Sequence, residues 1–267
     1  MPFLMFRFQR LETLLLGCLL WAAAPFASAQ GFAAYITPPR FDVKIAPGQS
    51  LRQVFEIQHV GQLKGGYRLY TNDWTYLPDN TVTFSDELAP DSCRPWVAIE
   101  RRELTLEPGA RYRFRFEITP PPGTPARECR FAIMVEGVDP AKSSVDVGGR
   151  IGVIVYAAIG GAEPALELAA TRVAMVGGKP VAMLDIRNRG NAHGRLEGFV
   201  NATDAAGRRL EMTPTDMPIL PGETRSVALG PVVDEGQPVP EIRFPLVVKG
   251  NLEWGKNRLP LDASFAP

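Results

Sequence analysis

Apolar residues in this chain recur at every second position, in short runs punctuated by glycine and proline. That pattern admits strands and little else. The cleanest instance is residues 111–118, where Tyr112, Phe114 and Phe116 alternate with Arg111, Arg113 and Arg115. A period of two puts the rings on one face of a strand and the arginines opposite, toward solvent. Comparable runs occupy 35–46, 54–60, 67–74, 82–84, 95–99, 104–106, 129–136 and 150–156, with Pro47-Gly48 and Pro108-Gly109 among the turns between them. No stretch of a dozen residues keeps a 3.6-residue apolar period. Glycine and proline number 25 each among 267 residues, about 19% together against an average of about 12%, which suits many turns better than long helices.

Seven or more strands before residue 160 predict an immunoglobulin-like sandwich. Gly160-Gly161-Ala162-Glu163-Pro164 reads as a linker. Strand runs resume at 166–176, 181–187, 195–203, 208–212, 224–229, 242–249 and 258–265, with turns such as Asn188-Arg189-Gly190-Asn191 and Pro221-Gly222-Glu223 between them. The fold class expected is therefore all-β, two consecutive immunoglobulin-like β-sandwich domains over 30–160 and 161–267.

The first 29 residues read as a cleaved signal peptide. Arg7 and Arg10 precede the apolar run 14–20, and Ala27-Ser28-Ala29 supplies the small–x–small cleavage pattern. Pro25 and the shortness of the run argue against a membrane anchor. Glu12 argues against reading Leu15-Leu16-Gly17-Cys18 as a lipoprotein box. Cleavage before Gln30 removes Arg7, Arg10 and Glu12, so the balance of 29 basic and 29 acidic residues becomes 27 and 28. Near-neutrality argues against a nucleic-acid partner. Cleavage also removes Cys18, leaving Cys93 and Cys129. In an oxidising compartment a lone pair in one domain is expected to form a disulfide, the alternative being two buried thiols. Their spacing fits neither a CxxC redox site nor a four-ligand zinc site.

Catalytic patterns are absent. There is no GxSxG elbow, HExxH helix or phosphate-binding loop. His59 and His193 fall in different predicted domains without ligand-like neighbours, and each reads as an ordinary surface or turn histidine. No metal, no cofactor and no enzymatic activity are expected.

One strand breaks the alternation. Ile151, Val153 and Val155 share a face, but Ile154 and Tyr156 make the other face apolar too, and Val145 and Val147 continue the first set upstream of Gly148-Gly149. A strand apolar on both faces needs a second covering layer. Either it is a central strand beneath the second domain, or it is an edge that pairs with a partner strand.

These elements in this order also carry a resemblance. The AYITPPRFDVKIAPG segment at 34–48, Pro95-Trp96, Leu106-Glu107-Pro108-Gly109 and the strand 150–156 resemble the periplasmic chaperones of chaperone–usher pili. The resemblance is best over 33–160. It implies a periplasmic protein whose two domains stand at an angle, and which holds pilus or fimbrial subunits by lending them the last strand of its first domain. A basic pair in the cleft anchors the subunit's terminal carboxylate, and the subunit passes to an outer-membrane usher. Arg40 matches the family's arginine of that pair, on a face shared with Asp42 and Lys44. The family's lysine falls near Gly152 or Val153, where this chain has no cation, and Arg150 is the nearest substitute. The subunit-binding residues expected are Arg40, Val145, Val147, Arg150, Ile151, Val153 and Val155. The free protein could self-associate to cover its apolar strand. The competing class is a structural or adhesive surface protein of two sandwich modules.

Overall fold

The computed structural model describes residues 33–77, 79, 81–138 and 149–266. The predicted signal peptide, Val145 and Val147 lie outside the described residues. Ten strands build the first domain: β1 (Ala34–Thr37), β2 (Arg40–Ile45), β3 (Leu51–His59), β4 (Gly65–Tyr76), β5 (Val82–Ser85), β6 (Val97–Ile99), β7 (Glu103–Leu106), β8 (Arg111–Ile118), β9 (Arg127–Val138) and β10 (Arg150–Ile159). One sheet runs β1-β3-β8-β6. The facing sheet runs β2-β10-β9-β4-β5, with β7 also on β4.

The run predicted over 35–46 is thus two strands in two sheets, because the chain crosses over at Pro38-Pro39. Proline has no N–H to offer a ladder, which favours a break at this point. In β8, Phe114 and Phe116 are buried while Arg111, Arg113 and Arg115 are exposed, as period two requires. Between the sheets Phe41 meets Phe116 edge-on with centroids 5.2 Å apart, and within the first sheet Phe55 meets its register partner Phe114 at 5.1 Å. Cys93 and Cys129 form the expected disulfide, with Cα atoms 5.9 Å apart. It ties a short 3₁₀ turn at Arg94–Trp96 to β9 and contributes roughly 2–4 kcal/mol.

The second domain comprises β11 (Leu166–Val176), β12 (Lys179–Asn188), β13 (Val200–Thr203), β14 (Arg209–Pro214), β15 (Thr224–Pro231), β16 (Leu246–Trp254) and β17 (Asn257–Phe265). These strands form one antiparallel sheet, β11-β12-β15-β14-β13-β16-β17, whose end strands lie against each other. The sheet folds over its own core of Leu184, Ile186, Val227, Leu246, Val248 and Phe265, so opposite stretches of it form the two layers. The strand expected from residue 195 begins only at Val200. Gly194 and Glu197 make isolated bridges, and Gly198 takes a left-handed φ of 90°. The irregular stretch leaves Arg195 free to reach the first domain.

Candidate functional site

The last strand of the first domain has two unlike halves. From Ile154 to Ile159, β10 lies between β9 and β2, with Ile154 in parallel register opposite Arg40. The Ile154 N–H donates to the Pro39 carbonyl at 3.0 Å, and pairing on that side starts there. Residues 150–153 keep β9 on one side, and no described strand pairs with the other. Strand alternation turns the amide and carbonyl of Gly152 the same way as those of Ile154, toward the open side. Those of Arg150 follow. The result is a short open rim of backbone donors and acceptors.

The side chains of this strand serve the molecule's own packing. Val153 and Val155 are wholly buried in the first-domain core, and Ile151 is packed against it. They do not project toward a partner, as the sequence had them doing; what the rim offers is backbone. The opposite face is also covered from within, where Ile154 and Tyr156 pack with Trp74, Phe84, Ala132 and Met134, and Leu220 of the second domain joins them. The expectation that two apolar faces need a covering layer therefore holds, and this chain supplies the layer itself.

Position 152 has no room for a side chain. A Cβ there would lie 2.8 Å from two carbons of the Phe84 ring and 3.3 Å from the Met134 sulfur. A lysine in this place would have to displace an aromatic ring. Arg150 does not replace it beside Arg40. It precedes Ile154, the register partner of Arg40, by four residues, roughly 13 Å along the strand at ~3.3 Å per residue, and its charge acts on Tyr70 and Glu136.

Arg40 instead faces the second domain. Alternation along β2 turns Arg40, Asp42 and Lys44 outward while Phe41 and Ile45 are buried, as expected. Arg40 Nε lies 3.0 Å from Asp42 Oδ2, and Arg40 Nη1 lies 3.4 Å from Oδ2 of Asp216 in the second domain. Arg195 Nη1 donates to Asp216 Oδ1 at 2.7 Å, and its guanidinium lies 5.8 Å from the Tyr156 ring centroid.

Next to this exposed group is a buried one. His193 stacks on Tyr156 with centroids 3.8 Å apart. Its Nε2 lies 3.1 Å from Asp42 Oδ1 and its Nδ1 lies 2.5 Å from Glu128 Oε2. The His193 backbone N–H also donates to Glu128 Oε2 at 2.8 Å. Burial works against charge on Asp42, but the hydrogen bond and charge of His193 outweigh it and hold the carboxyl below its ordinary range. Burial pushes the Tyr156 hydroxyl far up.

A fastened turn positions His193. The fully buried Asn188 donates through Nδ2 to the carbonyls of Ala192 and Ile219, both at 2.8 Å, and its Oδ1 accepts from the Gly190 N–H at 2.9 Å. Gly190 is pressed so closely on the linker that a Cβ would lie 2.3 Å from the Glu163 carbonyl oxygen. Asn191 then bonds the first domain directly: its Nδ2 donates to the Ala126 carbonyl at 2.8 Å, and its own carbonyl accepts from the Glu128 N–H at 2.9 Å.

The surface part of both histidine readings is corrected by these contacts, although His193 does sit on a turn. His193 is a domain-junction residue. His59 is buried, with Nε2 2.6 Å from the Leu63 carbonyl oxygen and Nδ1 2.5 Å from the Tyr67 hydroxyl. Glu128, His193, Arg195 and Asp216 carry no local signal that singles them out. Their roles arise from pairing across separations such as the 65 residues between Glu128 and His193.

No family model matches this chain, and no curated protein does. Solved structures do resemble it, and fimbrial chaperones recur among them. A class 5 fimbriae chaperone, CfaA, is 14% identical, with 88% of this chain and 99% of that one covered and a TM-score of 0.47. The E. coli chaperone DraB is 14% identical over 88% of this chain and 99% of that one, at 0.44. A chaperone–tip adhesion subunit pre-assembly complex, CsuC–CsuE from archaic chaperone-usher Csu pili of Acinetobacter baumannii, is 14% identical over 87% of this chain and 98% of that one, at 0.44. At such identities the likeness is one of fold.

Among the described residues no helix is long and apolar enough to cross a membrane, and no group of three or more His, Cys, Asp or Glu could hold a metal ion.

Proposed function

We propose that this protein is a non-enzymatic periplasmic chaperone of pilus or fimbrial subunits, acting after removal of a signal peptide at Gln30, with its domain boundary at Gly160-Gly161. The observation that carries the reading is the open rim at residues 150–153 of an otherwise internal strand. An incomplete subunit adds its own strand there, and main-chain hydrogen bonds supply the affinity. The exchange needs no cofactor. Arg40, opposite the first residue beyond the rim, anchors the subunit's terminal carboxylate, and the complex then meets an outer-membrane usher. Without a subunit, the same rim pairs two copies of this chain at high concentration.

The natural test of the strand must spare its buried face. Val153→Asp would place a charge in the core and unfold the domain. Arg150→Pro instead removes an N–H that points to the rim, at the start of a strand where proline is tolerated. Capture of the mature chain from periplasm is expected to bring down a small β-rich subunit, and Arg150→Pro is expected to lose it while keeping the parent's melting temperature. Undiminished recovery of the subunit by folded Arg150→Pro would overturn the assignment. The Gly152 amide is expected to exchange rapidly in the free protein and to become protected in the complex.

A further inference from the structure

Arg195 is nine-tenths buried, yet it bonds the side chain of Asp216, which is 68% exposed. Its Nε is enclosed with no hydrogen-bond partner among the described residues. Among the described residues its Nη2 reaches only the Tyr156 hydroxyl, at 3.5 Å. Buried donors are ordinarily satisfied, so this guanidinium is poorly used by its own surroundings and turned toward a surface carboxylate. Arg40 approaches the same carboxylate from the other domain, on the other oxygen. Two guanidinium groups on two domains thus grip one carboxylate, which is how an arginine pair recognises a free carboxylate ligand.

We infer that Arg40 and Arg195 form one carboxylate cradle across the domain cleft, that Asp216 fills it in the free chain, and that an incoming carboxylate enters by displacing Asp216. The inference rests on the chaperone reading only for the source of that carboxylate, the chain terminus of a bound subunit. Exchanging one carboxylate for another keeps the charge of the cleft constant, so the step asks for no new buried charge. Asp216 is suited to leave: its carboxylate is 68% exposed, its contact with Arg40 is long at 3.4 Å, and it lies on the connection between β14 and β15 rather than in a strand. Asp42, 3.0 Å from Arg40 Nε, keeps the Arg40 guanidinium oriented when Asp216 has gone. Arg195 also answers the question of the second cation, which β10 does not provide.

The test uses acetate as the probe, titrated into the mature full-length chain at constant ionic strength against chloride, with the arginine side-chain Nε–H resonances followed by NMR. Asp216→Asn is expected to bind acetate about fivefold more tightly than the parent, because the internal competitor no longer occupies the site. Adding Arg195→Gln or Arg40→Gln to Asp216→Asn is expected to abolish the gain. Equal acetate affinity in parent and Asp216→Asn would overturn the proposal, and so would a gain that survives Arg40→Gln. Should the double variant with Arg195→Gln fail to fold, the Arg40 arm decides, since Arg40 lies on the surface. Failure of the acetate arm with subunit capture intact sinks the cradle alone. Acetate binding without subunit capture sinks the chaperone reading and leaves the cradle standing.

Discussion

Two groups of charges join the domains around Tyr156, and they differ in almost every respect. His193 and Glu128 are both buried, their side chains 12% and 2% exposed, and His193 stacks on Tyr156, bonds Glu128 twice and is fixed by a fastened turn. Arg40 and Asp216 are open to water, their side chains 40% and 68% exposed, and their contact is long at 3.4 Å. Charge pairs at exposed sites contribute little, whereas removing one partner of a buried pair leaves a desolvated charge behind. The first group is therefore built to hold the domains together and the second to be exchanged. A junction that must stay closed while its cleft takes up a ligand needs one of each.

The comparison is broken most directly by His193→Ala. Glu128 would keep the backbone N–H of residue 193 at 2.8 Å and Arg130 Nη1 at 3.8 Å from its other oxygen but lose the imidazole, and unfolding in urea is expected to show a loss of about 3 kcal/mol. A loss below about 0.5 kcal/mol would mean that the buried group does not hold the junction. Gly190→Ala attacks the same group through its support, since the new methyl would meet the Glu163 carbonyl oxygen. An overpacking loss of about 2 kcal/mol is expected, together with faster exchange of the Glu128 amide that bonds the Asn191 carbonyl.

Acidity separates the two groups further. Burial opposes charge on His193, but its hydrogen bonds to Asp42 and Glu128 outweigh that and raise its pKa above 6.5. A group whose folded pKa is raised gives its full stabilisation below the unfolded value and loses it as pH rises through the folded value. The groups facing His193 are Asp42 on β2, Glu128 on β9 and Tyr156 on β10, with the Arg195 guanidinium 5.8 Å from the Tyr156 ring centroid. The melting temperature is thus expected to fall on the alkaline side of about 6.5, and His193→Ala to flatten that fall. Parent and variant falling alike would remove His193 as the cause. Asp216 behaves the opposite way. Burial raises its pKa, but Arg195 and then Arg40 outweigh this and lower it below 3.8, so its pair fails only in acid as pH drops through that lowered value. The smallest effect belongs to Asp216→Asn: the exposed contact with Arg40 contributes little, and the side-chain amide oxygen can still accept from the buried Arg195 guanidinium, so stability is expected to change by about 1 kcal/mol or less near neutral pH. A larger loss would show that the exposed group also holds the domains.

Local regularities made much of the fold legible. The alternation in 111–118 marked both the buried and the exposed face of β8, and the outward side of Arg40 followed from the same period. Cys93 and Cys129 form the disulfide expected of a lone pair in one domain. The junction was illegible for a physical reason. Nothing near His193 in the chain announces a carboxylate, because Glu128 arrives through the docking of one domain on another. Val153 and Val155 misled differently: hydrophobicity marks burial without saying whether a molecule's own core or a visitor's groove provides it. Gly152 could be placed, but only the Phe84 ring above it explains why no lysine stands there.

The diversion of the chain at Pro38-Pro39 has an architectural consequence. Had the first segment run on beside β10, it would have zipped that strand shut along its whole length. By leaving for the other sheet just before Arg40, it sets the number of vacant ladder rungs and fixes a cation at the last of them. Sliding the two imino residues along the sequence would lengthen or shorten the vacancy by the same step, so the length of the open rim is written in where the chain's own first strand turns away.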